Sequence, residues 1–167
     1  MGGDFLKRRK DFVGMMVFDV GGKKIGTVTD IYIDFYKGIV KGFKISAFSL
    51  FKKKQFIAIE DILSLNEIIV TAKTTSEEGI AFLDIKDMEV ISNEGNILGV
   101  VEDVLINLLN YSIKGMIVAS GIFDKIYKGK RVLLISNSIL GEKEILYYED
   151  QRISFKSLPH NLVMSNE

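Results

Sequence analysis

One unit occurs twice in this chain of 167 residues, and no other feature limits its fold as tightly. Sliding the chain by 73 positions sets Met15–Ile45 against Met88–Val118 without a gap. Nine of the 31 positions are identical: Met15/Met88, Val17/Val90, Gly22/Gly95, Gly26/Gly99, Val28/Val101, Asp30/Asp103, Ile33/Ile106, Lys41/Lys114 and Gly42/Gly115. Others exchange one apolar residue for another, such as Phe43/Met116 and Ile45/Val118. Each copy must therefore be a unit with its own hydrophobic face. Beyond this stretch the offset grows by three or four. Ile59 falls opposite Ile135, and Glu67-Ile68-Ile69 opposite Glu144-Ile145-Leu146, with most of the extra residues in one loop.

Both copies read as strands. Met15–Asp19 is short and apolar and runs into Val20-Gly21-Gly22-Lys23, a turn signal in which Gly supplies φ > 0. Lys24–Phe35 is rich in β-branched residues, with Ile25, Ile31, Ile33 and Phe35 on one parity. Gly26 inside that run marks a bulge or bend. Ile39–Ile45, Gln55–Ile59 and Ile68–Ala72 complete about five strands. The second copy gives Met88–Ser92, Ile97–Leu108, Ile113–Ala119, Arg131–Ile135 and Glu144–Tyr148, with Gly95 and Gly99 in the places of Gly22 and Gly26. Short strands with regular turns, and a long strand bent by a glycine, suit a small closed sheet. The fold class expected is all-β, two tandem barrels. The best helix start is Thr75 to Glu78, which has capping-box spacing, and Gly79 limits it to a turn or two.

The organisation expected is a basic arm over 1–11, a first barrel over 12–73, a linker over 74–82, a second barrel over 83–148 and an extended tail over 149–167. In the arm, Lys7-Arg8-Arg9-Lys10 reads as a solvated terminus. The run Gly14–Asp34, followed by Ile57-Ala58-Ile59-Glu60-Asp61-Ile62 and a closing apolar strand, resembles the PRC-barrel domain, the family of the photosynthetic reaction centre H subunit and of the ribosome maturation factor RimM. The second copy resembles it more loosely: Ile135-Ser136-Asn137-Ser138-Ile139 replaces the acidic segment, and no glycine precedes Met88. The resemblance implies a small β-barrel that acts as a docking or assembly module, with no general catalytic residues to carry over.

The residues offer little chemistry. There is no cysteine, which excludes disulfides and thiolate ligands, and the sole histidine, His160, lies in the tail beside the only proline. Lys plus Arg and Asp plus Glu both total 22, so no global attraction to nucleic acid or anionic lipid is expected. Asp30 and Asp103 recur in both copies and read as carboxylates that cap backbone N–H groups at a strand bend rather than as cation ligands. Glu60-Asp61 lacks an acidic counterpart in the second copy. No catalytic residue, cofactor or metal site is expected. The N-terminus has no apolar signal-like core and no run reaches a membrane span, so the expectation is a soluble, cytoplasmic protein.

One feature stands above this background. The loop before each fourth strand sets bulky apolar residues against a basic run: Phe48, Leu50 and Phe51 before Lys52, Lys53 and Lys54, and Ile122, Phe123 and Tyr127 before Lys128, Lys130 and Arg131. Aromatic anchors rimmed by cations suit a protein interface. The functional expectation is a non-catalytic interaction or assembly module that meets a partner protein or a second copy of itself. The alternative is an RNA- or ribosome-associated factor, by analogy with RimM, using the same aromatic and basic side chains.

Overall fold

The computed structural model describes residues 5–47, 55–120 and 130–148. Fourteen strands are described: β1 (Leu6–Arg8), β2 (Met16–Asp19), β3 (Lys24–Asp34), β4 (Ile39–Ala47), β5 (Phe56–Ala58), β6 (Ile62–Leu65), β7 (Ile68–Thr71), β8 (Ile80–Ala81), β9 (Glu89–Ser92), β10 (Ile97–Asn107), β11 (Ile113–Ala119), β12 (Arg131–Leu133), β13 (Ser138–Leu140) and β14 (Glu144–Tyr147). The described helical parts are one turn of α-helix, α1 (Phe82–Ile85), and three 3-10 turns at Arg9–Asp11, Ile59–Asp61 and Ile135–Asn137. The chain is thus two all-β barrels in tandem.

The first sheet runs β5-β4-β3-β2-β7-β6 and the second β12-β11-β10-β9-β14-β13, the same order in both copies. β7 and β14 join β2 and β9 in parallel, whereas the other pairs are antiparallel. The long strands β3 and β10 bend the sheets into barrels. A bulge leaves Ile25 between the pairs Val17–Gly26 and Phe18–Lys24, and Leu98 between Val90–Gly99 and Ile91–Ile97. A Cβ on Gly26 would sit 2.3 Å from the Ser46 carbonyl, and one on Gly99 2.2 Å from that of Ala119. Only glycine lets the facing strand pass that close. A second bulge, between Val28 and Asp30 and again between Val101 and Asp103, changes the parity of the strand. Val28 therefore joins Ile31 and Ile33 inside, which simple alternation from Ile25 did not foresee.

Inward residues correspond pair by pair: Val17/Val90, Ile31/Val104, Phe43/Met116, Ile57/Leu133 and Ile69/Ile145 are all buried. The last pair corrects the alignment. Val17 pairs with Ile69 and Val90 with Ile145, so the offset there is 76 and not 77. The slip matters because it exchanges inside for outside: Leu146 faces out, while Ile145 is fully buried. Two strands, β6 and β13, also escaped notice; each is short and holds polar residues that mask its alternation.

The turns between β2 and β3, and between β9 and β10, hold Gly22 at φ 77° and Gly95 at φ 84°. The Asp19 carboxylate accepts from the N–H groups of Gly21 and Lys23, and the Ser92 hydroxyl from those of Glu94 and Asn96. Where the first copy has Gly14 at φ 91°, the second has Asp87 at φ 66°. Asp is among the few residues with a side chain that enter this region at modest cost, so the pattern survives the missing glycine.

Candidate functional site at the seam between the barrels

The strands β1 and β8 belong to neither order above. β1 pairs with β10 (Lys7–Ile106, Arg8–Leu105), and β8 pairs with β3 (Ile80–Ile33, Ala81–Tyr32). Shifted by 73, the two sets of pairs are the same. Each repeat sends its first strand onto the long strand of the other. The stretch expected to be a solvated basic arm is strand from Leu6 to Arg8, and Arg9 is largely buried. The segment taken as a linker carries β8 and the buried Phe82. No helix follows Thr75. That residue bridges to Phe56 in extended form, and Gly79 takes φ 102° against the Ile33 backbone, so the helical turn waits until Phe82.

The repeated aspartates lie where the arms dock, and both are buried. Asp30 accepts at Oδ2 from the N–H of Leu83 (2.9 Å), in the arm of the second repeat. Asp103 accepts at Oδ2 from the N–H of Lys10 (3.4 Å), in the arm of the first, and Leu83 and Lys10 are equivalent residues. Symmetry then breaks. Arg9 donates from Nε to Asp30 Oδ1 (2.8 Å) and from its guanidinium to the Thr29 carbonyl (3.1 Å). The residue equivalent to Arg9 is Phe82, and the guanidinium lies 5.5 Å from the centre of the Phe82 ring. Phe82 has no charge to offer, and Asp103 Oδ1 takes the N–H of Val104 instead (2.8 Å). Burial pushes the Asp103 carboxyl above its ordinary value, against the N–H groups of Val104, Lys10 and Arg9 and the charge of Arg9, which pull it down.

At the far side of the seam the two β-hairpins meet. Val40 donates its N–H to the Tyr111 carbonyl (2.9 Å) and Ile113 donates to that of Gly38 (2.7 Å), again equivalent bonds, with Ile39 and Ser112 bridged between them. Gly38 and Tyr111 both have positive φ, 61° and 55°. Tyr32, next to β8, has its hydroxyl pushed up to about 12, by burial first and then by the Glu77 carboxylate bonded to it. Glu77 and Glu78, the latter paired with Lys41 (2.6 Å), thus extend the grip of the second arm on the first barrel.

Such a repeat, arm included, is matched by a family model of the PRC-barrel domain at residues 6–79 and again at 77–147. The chain belongs to the PRC-barrel family. No curated protein matches it. Both PRC matches take in the arms, so the exchange of β1 and β8 is an exchange between two PRC repeats and not the docking of a foreign segment.

Most of the interaction surface expected from sequence lies outside the described residues: Phe48, Leu50, Phe51 and Lys52–Lys54 in one loop, Ile122, Phe123, Tyr127 and Lys128 in the other. Lys130 is described and pairs with Glu102; Arg131 opens β12 and is half-buried. Among the described residues no cluster of side chains suited to a metal occurs, and no helix is long and apolar enough to cross a membrane.

A surface that sequence reasoning missed lies on the outside of the first barrel. Val17 and Ile69 point in, so Met16, Phe18, Ile68 and Val70 point out, paired Met16–Ile68 and Phe18–Val70. Leu63, at a bulge in the neighbouring β6, is 62% exposed and Met16 42%. The second barrel carries Glu89 and Glu144 in the places of Met16 and Ile68, and keeps Ile91, Leu146 and Ile139. The signal was available: β2 and β7 are apolar on both parities, whereas a strand with one wet face alternates.

Proposed function

We propose that this chain is a non-catalytic protein-interaction and assembly module whose first barrel presents its outer β2–β7–β6 face to a partner protein. The observation that carries this reading is the apolar character of that face. A monomeric protein rarely leaves adjacent rows of large apolar side chains in water, and such patches mark contact sites. The row ends at Thr27 and Ser46, whose hydroxyls bond one another (2.8 Å), which supplies the polar rim an interface has. Nothing in the sequence supports catalysis, with no cysteine and a single histidine.

The sister barrel supplies the test. Met16→Glu with Ile68→Glu writes its glutamates into the first barrel at positions where that framework already carries them. The double variant should keep its circular dichroism and melting temperature, while a partner that co-purifies with the wild type is lost or, for self-association, the sedimentation coefficient falls. An unchanged set of co-purifying proteins together with unchanged sedimentation would remove the face from consideration.

A further inference from the structure

The seam has the construction of an interface between two molecules, and we propose that each repeat binds the other without need of the covalent link, as a heterotypic pair. The partner that this surface fits is another PRC repeat bearing an N-terminal arm.

Three observations carry this. Contacts across the seam fall into three equivalent pairs: β1 on β10 and β8 on β3 in one register, Lys10 on Asp103 and Leu83 on Asp30, Val40 on Tyr111 and Ile113 on Gly38. Such reciprocity is the mark of a twofold, isologous interface, in which a surface meets its own copy. Second, each arm completes the other barrel rather than its own, so neither repeat satisfies its long strand and buried aspartate alone. Third, one hydrophobic core runs through both repeats.

The place where symmetry fails sets the pairing. Arg9 meets Phe82 across the axis. Two copies of the first repeat would bring two guanidinium groups together there. Two copies of the second would bury two Asp103 carboxylates with no cation beside either. Only the mixed pair provides one cation and an aromatic face to cover it. This goes beyond the outer-face reading and does not depend on it.

The test uses the whole protein with a protease site inserted between the exposed Ser76 and Glu77, cut after purification. The two pieces should sediment together as a 1:1 pair at micromolar concentration, and exchange on mixing with an isotope-labelled cut sample should return only mixed pairs in native mass spectrometry. Arg9→Ala in the cut protein should weaken the pair at least tenfold. Separation of the pieces at micromolar concentration, re-sorting into pairs of like repeats, or an affinity that Arg9→Ala leaves within twofold would each overturn the proposal.

Discussion

Single residues decide the bends and the seam. Gly22 and Gly95 have open space where a Cβ would go, so a substitution there meets backbone strain alone. Gly22→Val and Gly95→Val should each lower stability by about 1–2 kcal/mol in urea unfolding. A value near zero would mean that the turn relaxes into another form. Asp103 makes a prediction of opposite sense to ordinary acid denaturation. Its carboxyl is raised by burial, so the folded protein binds that proton at a higher pH than the unfolded chain does. Ionised Asp103 therefore costs stability above the raised value, and the cost fades as pH falls through it. Asp103→Asn removes the titration and turns an amide N–H toward backbone donors. The gap in unfolding free energy between wild type and Asp103→Asn should widen in favour of the wild type from about pH 7 to about pH 4. A gap that stays constant across that range would assign the shift elsewhere.

At the scale of elements, the long strands carry the fold. β3 pairs with β2 over its first half, with β8 over its second and with β4 along its length, and β10 does the same with β9, β1 and β11. Five strands of each repeat were legible to within a residue or two, because β-branched alternation and Gly turns are local signals, whereas the short β1, β6, β8 and β13 were not. Register was not. The alignment of β7 with β14 slipped by one residue, since Glu-Ile-Ile and Glu-Ile-Leu match by eye while hydrogen bonding sets Ile69 against Ile145. That correction predicts an unequal pair of variants. Ile145→Ala should cost about 2–4 kcal/mol as a core truncation, and Leu146→Ala less than about 1 kcal/mol as a surface one. Equal losses in chemical denaturation would restore the other register.

At the scale of the whole molecule, duplication and divergence act on different surfaces. The inward residues and the docking aspartates are kept in both repeats, so the barrels and the exchange persist. The outer faces differ: Met16 and Ile68 on one barrel, Glu89 and Glu144 on the other. A single chain thereby presents two distinct surfaces on one framework, which a pair of identical repeats could not do. The Arg9–Phe82 contact is the counterpart of this inside the seam.

By itself the sequence determined that a strand-forming unit occurs twice, where its glycines bend it, and that each copy closes around an apolar interior. These follow from periodicity and backbone sterics, which act within a few residues of one another. Only the tertiary structure decided that the arms trade places, that Arg9 is largely withdrawn from water and bonded to Asp30, and which strand faces are left uncovered. Those outcomes depend on contacts between residues tens of positions apart, where a basic run such as Lys7–Lys10 looks the same whether it meets water or a buried carboxylate.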